Sequence, residues 1–536
     1  GYLRMEDFKG GDIYYKVCTG TDETLKALDI NTESEYNPDL SKYYEYEQAD
    51  ITKLKGSVLD ASFVLDAPAG KHGFISKDGE NFVFEDGTKF KIWGTNIGGS
   101  GAFPDTHEEA EKIADSVAAW GFNVVRIHNI DGSFKPNVFG YADSGKKLDD
   151  ASMDKLCYLL YCLKERGIYY YIDQTCYRKA YEDDNLDSME GIGAGLKGPA
   201  YFNRKVIDIQ KQYSEMLLTY ENPYTGLTLA NDPAMVLIDL NNEFTMQNYD
   251  VALYGEYYYN ELNRQYSEWL LEKYGTRDAL KEAWRSKTGE WGTGLLDSED
   301  PEQGTVKILR DSGHYSIDRC NDEELFFADV MDKYLKERIA HLRSIGVKCP
   351  ITGTWAADAQ VQATHINAKT DFIDAHYYWS HPNGDIDKAG TSMNPYNTES
   401  SSGKYDNTSN LKTDNMGLIN NIASGRVYGY PYVVSEWNMC SGNPAAAEGP
   451  LLMSAYGSLQ NWNLLSFAQN TKSDFFAQFE NGYKYYQSDA FSLIENPVLA
   501  AAYPSASIMA NRGDVKEAYS GYYSEISDDN IYIGTD

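Results

Sequence analysis

Hydrophobic and polar positions along this chain follow two alternating patterns. From about residue 89 onward, short apolar runs rich in β-branched and aromatic side chains are separated by longer stretches whose apolar positions recur every three or four residues. The short runs predict strands buried on both faces, and the longer stretches predict amphipathic helices. Strands are expected near residues 92, 124, 170, 237, 351, 373, 433 and 466, with helices over about 106–120, 153–166, 204–219, 323–345, 451–460 and 496–511. Local signals mark several ends: Thr106 precedes Glu109 by three as in a capping box, and Gly121 and Gly167 stop the first two helices. Eight parallel strands joined by helices close into a (β/α)8 TIM barrel, a fold that carries its chemistry at the C-terminal strand ends.

The pattern changes at both ends and at one interior stretch. Residues 1–88 read as an accessory β region, with a strand over 12–17, an acidic tyrosine-rich stretch over 31–50, and a hairpin over 74–88 whose turn is Asp86-Gly87. The barrel spans 89–512 and is interrupted at about 249–320 by an insertion with helices over 257–274 and 277–284. A segment of that size after a strand is expected to serve function or form a lid. Residues 382–415, rich in Gly, Ser, Asn and Thr, predict a surface loop. The closing segment, 513–536, returns to β character at 530–533, and either joins the N-terminal layer or begins a further domain.

Composition narrows the partners. A formal charge of −33, from 48 basic and 81 acidic residues, repels nucleic acid, anionic membrane surfaces and acidic polysaccharides at long range. A neutral carbohydrate is the more comfortable substrate, although acidity also serves solubility alone. No apolar run reaches the roughly 18 residues of a membrane helix, so no membrane insertion is expected. Seven scattered cysteines without CxxC spacing predict neither a disulfide framework nor a structural zinc site. The chain opens on glycine with no basic-then-apolar leader, which neither shows nor excludes secretion; the expected location is extracellular or the cell surface. Tyrosine occurs 44 times, and such rings suit a cleft where they stack on the apolar faces of sugars.

Two strands end alike. Met235-Val236-Leu237-Ile238-Asp239-Leu240-Asn241-Asn242-Glu243 and Tyr432-Val433-Val434-Ser435-Glu436-Trp437 are apolar runs that finish in a glutamate. A single glutamate at a strand end is usually a solvated loop residue. Two of them, carried by parallel strands to one rim, form the carboxylate pair of a glycoside hydrolase. Other candidates sit at strand ends too: Arg126 and His128 on the second, His376 and Tyr378 on the sixth, while Asp173 and Gln174 end the third and shape the cleft. Trp355, Trp379 and Trp437 are candidates for sugar stacking or for core packing.

Gly121-Phe122-Asn123-Val124-Val125-Arg126-Ile127-His128, Asn242-Glu243, His376 with Tyr378, and Ser435-Glu436-Trp437, in that order on the second, fourth, sixth and seventh strands, resemble the clan A glycoside hydrolases. The resemblance is strongest to family 5 endoglycanases such as cellulases and mannanases, and runs from about residue 89 to 511. It implies polysaccharide degradation by a retaining mechanism, with Glu243 as general acid/base and Glu436 as nucleophile. It further implies that Asn242 holds the substrate's 2-hydroxyl, that Arg126 and Tyr378 hydrogen-bond Glu436, and that His128 and His376 line the subsite at the cleavage point. One departure stands out: family 5 enzymes usually end the eighth strand in tryptophan, whereas this strand ends Phe467-Ala468-Gln469, leaving Trp437 or Trp355 as substitutes. The insertion, with Trp269 and Tyr274-Gly275-Thr276, resembles family 42 β-galactosidases.

Double displacement needs one carboxyl ionised to attack and one protonated to release the leaving oxygen. Arg126 beside Glu436 would keep the nucleophile charged, and that charge would favour the proton on Glu243. No metal or organic cofactor is called for. The expected activity is retaining hydrolysis of a β-linked neutral glycan, β-glucan or β-mannan. Alternatives are an exo-acting β-galactosidase or β-mannosidase and a non-catalytic carbohydrate-binding barrel. A metal-dependent barrel hydrolase would want HxH on the first strand, where Thr95-Asn96 stands instead.

Overall fold

The computed structural model describes residues 55–132, 135–246, 254–285, 293–308, 316–354, 361–379, 381–382, 392–393, 417–440, 445–467, 491, 493, 497–527 and 531. The strand expected over 12–17, the stretch 31–50, most of the loop 382–415, Trp355, Ala468, Gln469 and the segment 530–533 except Ile531 lie outside them.

Eight strands make the barrel: β1 (Trp93–Gly98), β2 (Val124–His128), β3 (Tyr169–Asp173), β4 (Met235–Asn241), β5 (Ile351–Thr354), β6 (Ile373–Trp379), β7 (Tyr432–Met439) and β8 (Trp462–Ser466). They pair in parallel in the order β5-β4-β3-β2-β1-β8-β7-β6, so this is a (β/α)8 barrel in which every neighbouring pair but β5 and β6 shares a ladder. Among the described residues the β5/β6 boundary is tied at its N-terminal end, where Asp371 N–H donates to the Ile351 carbonyl (2.9 Å), Ile351 N–H to the Asp371 carboxylate (2.9 Å) and the Thr352 hydroxyl to the Phe372 carbonyl (2.9 Å). Helices α1 (His107–Ala119), α2 (Asp150–Glu165), α3 (Arg204–Leu218), α4 (Glu256–Tyr274), α5 (Arg277–Ala283), α6 (Ile317–Ser344), α7 (Val361–Asn367), α8 (Gly417–Ser424), α9 (Glu448–Leu459) and α10 (Pro497–Arg512) accompany the sheet.

Ends follow from local chemistry. Thr106 Oγ1 accepts from Glu109 N–H at 3.1 Å, while the Glu109 carboxylate reaches back to Asp105 N–H at 2.7 Å, one residue further out than the capping box predicts. Gly121 ends this helical segment at φ 76°, and a side chain there would press on the Cβ atoms of Ser507 and Ala61 at 2.9 and 3.0 Å. Helix α6 begins well before the expected residue 323. Its first turns carry buried polar groups that obscure the period: Arg319 pairs with Glu299 (2.7 Å), and the Asp322 carboxylate accepts from the Trp284 indole (2.7 Å) and the Tyr274 hydroxyl (2.8 Å). These bonds join α6 to α4 and α5. The described part of the insertion packs onto α6 and so joins the barrel's core, Tyr266 and Trp269 meeting Phe326, and Trp269 and Tyr274 serve packing.

A small antiparallel sheet of Ile75–Asp78, Asn81–Phe84 and Lys89–Phe90 covers the barrel's N-terminal end. Asp86-Gly87 turns between its second and third strands, and because Lys89–Phe90 belongs here, β1 opens at Trp93 rather than at Phe90. Phe82 meets Phe372 edge-on (5.9 Å) and Phe84 stacks on Tyr169 (5.3 Å), both at the starts of barrel strands. This sheet therefore lies opposite the C-terminal rim. At the other end of the chain, residues 513–527 contain no strand and are largely exposed. No helix among the described residues is long and apolar enough to cross a membrane.

Candidate active site

Strand alternation on β2 turns Arg126 and His128 into the barrel, where Arg126 is completely buried. Its Nη1 donates to Glu436 Oε1 (2.6 Å) and Asn96 Oδ1 (3.2 Å), and its Nη2 donates to Asp239 Oδ2 (2.9 Å) and Asn242 Oδ1 (2.9 Å). Groups from β1, β2, β4 and β7 thus converge on one guanidinium, whose fixed fork suits several acceptors at once. His128 Nδ1 donates to Asp173 Oδ2 at 2.7 Å. Burial alone would push Asp173 up, but Arg126 and His128 outweigh it and hold the carboxyl below its ordinary range. Asp239 is pushed the other way, by burial and by the Asp173 charge, well above the usual carboxylate value.

Glu436 is 4% exposed and held from three sides. Besides Arg126, the Tyr378 hydroxyl donates to its Oε2 (2.5 Å), and His376 Nδ1 lies 3.6 Å from the same oxygen. Burial would raise its pKa; His376, Arg126, His128 and the Tyr378 hydroxyl together bring it down to about 2. Its strand is irregular at this point. Ala375 pairs with Val434 but His376 pairs with Glu436, so Ser435 is an extra residue, a β-bulge beside the carboxylate. Asp374 clamps the bulge: its Oδ1 accepts from Ser435 N–H (3.1 Å) and its Oδ2 from the Ser435 hydroxyl (2.7 Å).

Glu243 follows β4 with φ 47°, in the left-handed region that a non-glycine residue seldom occupies. The backbone on each side is anchored. Asn242 N–H donates to the Thr175 carbonyl (2.9 Å), and Phe244 N–H to Thr354 Oγ1 (3.1 Å). The turn directs the half-buried carboxylate at His376, whose Nδ1 lies 2.9 Å from Glu243 Oε1. An oxygen of Glu243 and an oxygen of Glu436 are within 4.8 Å of each other. Burial opposes the charge on His376, but Glu436, Glu243 and Asp374 drive its pKa up to about 9.

The structure brings Glu243, Glu436, Arg126, His128, Asn242, His376 and Tyr378 together at the C-terminal ends of β2, β4, β6 and β7. Trp437 is a correction. Since Glu436 faces the barrel's interior, its neighbour faces outward, and the indole is buried against Trp93 (6.1 Å) and Tyr503 of α10 (6.4 Å), away from the cleft. Trp379 is likewise buried. The aromatic ring at the end of β8 is Phe467, edge-on to His128 (5.6 Å) and Tyr378 (6.1 Å). Sequence reasoning passed over Asn96, Asp239, Asp374, Ser435 and the pairing of Asp173. For Asp374 a signal existed: it shares the alternating face of His376 and Tyr378.

Among the described residues two trios come close enough to hold an ion, His128 with Asp173 and Cys176, and Glu243 with His376 and Glu436. In each the imidazole is already hydrogen-bonded to a carboxylate, the arrangement of an acid–base pair, and neither is assigned as a metal centre.

A family model described as beta-galactosidase, glycoside hydrolase family 42, matches residues 220–473, slightly under half the chain and including β4 through β8. No curated relative matches by sequence. Among solved structures, an endo-1,4-β-mannanase from Rhizomucor miehei is 13% identical with a TM-score of 0.49, covering 82% of this chain and 100% of its own. A β-glucanase from Saccharophagus degradans is 12% identical with a TM-score of 0.41, covering 88% of this chain and 100% of its own. A family 5 mannosidase from Rhizomucor miehei is 9% identical with a TM-score of 0.43, covering 82% and 99%. At such scores the fold rests on strand order and register, not on these likenesses. In its motifs and in the matched model alike, the chain resembles the clan A glycoside hydrolases, and in its motifs most nearly those of family 5.

Proposed function

We propose that this protein is a retaining glycoside hydrolase that cleaves β-linked neutral saccharides, with Glu436 as nucleophile and Glu243 as general acid/base. The observation that carries the reading is the separation of the two carboxylates, within 4.8 Å at their nearest liganding oxygens. Retaining enzymes hold the pair about 5 to 5.5 Å apart, and inverting ones leave about 6.5 to 9.5 Å for a water. The asymmetry of the pair supports these roles. Glu436, buried and held down to about 2, is ionised and able to attack; Glu243, half-buried on the cleft side, is the one a leaving oxygen can reach.

In the first step a Glu436 oxygen bonds to the anomeric carbon as the glycosidic C–O bond breaks, and the Glu243 proton goes to the departing oxygen. In the second, Glu243 takes a proton from water, whose oxygen displaces Glu436. Arg126 and Tyr378 hold Glu436 in line, and Arg126 occupies Asn242 Oδ1, which leaves the amide's NH2 as a donor for the 2-hydroxyl. Phe467 offers an apolar edge at the rim in place of an indole. β-Glucan or β-mannan is the substrate we favour, in an extracellular or cell-surface setting. The family 42 match over β4 to β8 favours a second reading, an exo-acting β-galactosidase.

Screening β-glucans, mannans and aryl β-glycosides, with product lengths measured, separates the two readings: internal cleavage yields oligosaccharide ladders, exo action a single monosaccharide. On any substrate that is turned over, Glu243→Ala and Glu436→Ala are each expected to lower kcat by about 10²- to 10⁴-fold or more while leaving the fold intact. With an activated aryl glycoside, azide should give the α-glycosyl azide from the Glu436 variant and the β-glycosyl azide from the Glu243 variant. Full activity in either variant overturns the assignment.

A further inference from the structure

We propose that Ser435 and Asp374 are positioning residues for the acid–base step: together they fix the tautomer of His376, so that Nδ1 is the nitrogen that exchanges a proton with Glu243. The inference rests on the reading of Glu243 as acid/base.

In a regular strand, consecutive side chains point to opposite faces. Here Ser435 and Glu436 are consecutive, yet both reach His376: Ser435 Oγ lies 2.9 Å from Nε2, and Glu436 Oε2 3.6 Å from Nδ1. The bulge makes this possible, and it places a hydroxyl under the imidazole where the alternation would otherwise turn it away. The direction of each bond follows from the donor inventory. Asp374 Oδ1 takes the N–H groups of Ala375 (2.9 Å) and Ser435 (3.1 Å), and Oδ2 takes the hydroxyls of Tyr171 (3.0 Å) and Ser435 (2.7 Å). With its hydrogen committed to Asp374, the serine oxygen can only accept from the ring, so Nε2 carries a hydrogen. The tautomer of a histidine is set by the bond its far nitrogen makes. That leaves Nδ1, 2.9 Å from Glu243 Oε1, to hold or yield the second proton. When Glu243 gives its proton to the leaving oxygen, Nδ1–H is in place to hydrogen-bond the carboxylate that remains.

The test is a leaving-group series. Wild type, Ser435→Ala and Asp374→Asn are assayed on β-glycosides of one sugar, from dinitrophenyl, which departs without a proton, to alkyl aglycones, which need one. We expect kcat/KM, which reports only the step up to departure of the aglycone, to stay within about threefold of wild type for the dinitrophenyl glycoside and to be about 10- to 100-fold lower for the alkyl glycoside. Equal losses across the series would mean that the two residues merely support the strand, and would overturn the inference. A second measurement needs no variant to fold with full activity: the imidazole ¹⁵N shifts of wild type, above the ring value of about 9, should show Nε2–H and bare Nδ1 for His376. The opposite tautomer overturns the proposal. If instead Glu436→Ala keeps full activity, the glycosidase reading itself fails.

Discussion

At the scale of single residues, Glu243 is held where its side chain is useful and its backbone is not at ease. A left-handed conformation costs a non-glycine residue about 1 to 2 kcal/mol. Glu243→Gly is therefore expected to be more stable than Glu243→Ala by about 1 kcal/mol in denaturant unfolding, although both lose the carboxylate; equal stabilities would show that the turn is unstrained. Protonation gives a second expectation. His376 has its pKa raised from 6.5 to about 9, so its contribution to stability is whole below about pH 6.5 and is lost as pH climbs through 9. Glu436 is lowered from 4.5 to about 2, so its contribution is whole above about pH 4.5 and fades as pH falls toward 2. Melting temperature should thus plateau between these limits, with His376→Gln flattening the alkaline limb and Glu436→Gln the acid one. The residues of the charged pair were legible because each ends an apolar run. Asp239 was not, since it lies inside its strand, where an acid reads as an interruption until the partner that neutralises it is known; Asp374 was marked by the alternating face it shares with His376 and Tyr378.

Elements were legible where burial and polarity agree. Strands β1 to β8 and helices α1 to α3 follow the apolar period within a few residues of their expected positions. Helix α6 was read too short because Arg319 and Asp322 are buried by pairing rather than by apolarity, and the bulge at Ser435 left no trace because register exists only between strands. Trp437 shows the cost of reading an aromatic residue by type alone, when its position beside an inward-facing glutamate already assigned it to the outer layer. Junctions behave as the period says. Gly121→Ala would combine a strained φ with contacts of 2.9 and 3.0 Å, and is expected to cost about 1 to 3 kcal/mol, measured by urea titration.

For the whole molecule, the two ends of the barrel have different duties. Phe82 is fully buried beneath the N-terminal end, so Phe82→Ala should cost about 3 to 5 kcal/mol while leaving kcat unchanged below the lowered melting temperature. A large fall in kcat at low temperature would show that the two ends are coupled. The β5/β6 boundary has the opposite bearing. Among the described residues it is fastened at the base, and β6 is the strand that presents His376 and Tyr378 to the carboxylates. A cylinder with one unlaced side breathes along that side first. Amide hydrogens of β5 and β6 should therefore exchange with deuterium sooner than those of β2 and β3, and a sugar bridging Glu243 and Tyr378 would slow them by clasping the gap from above.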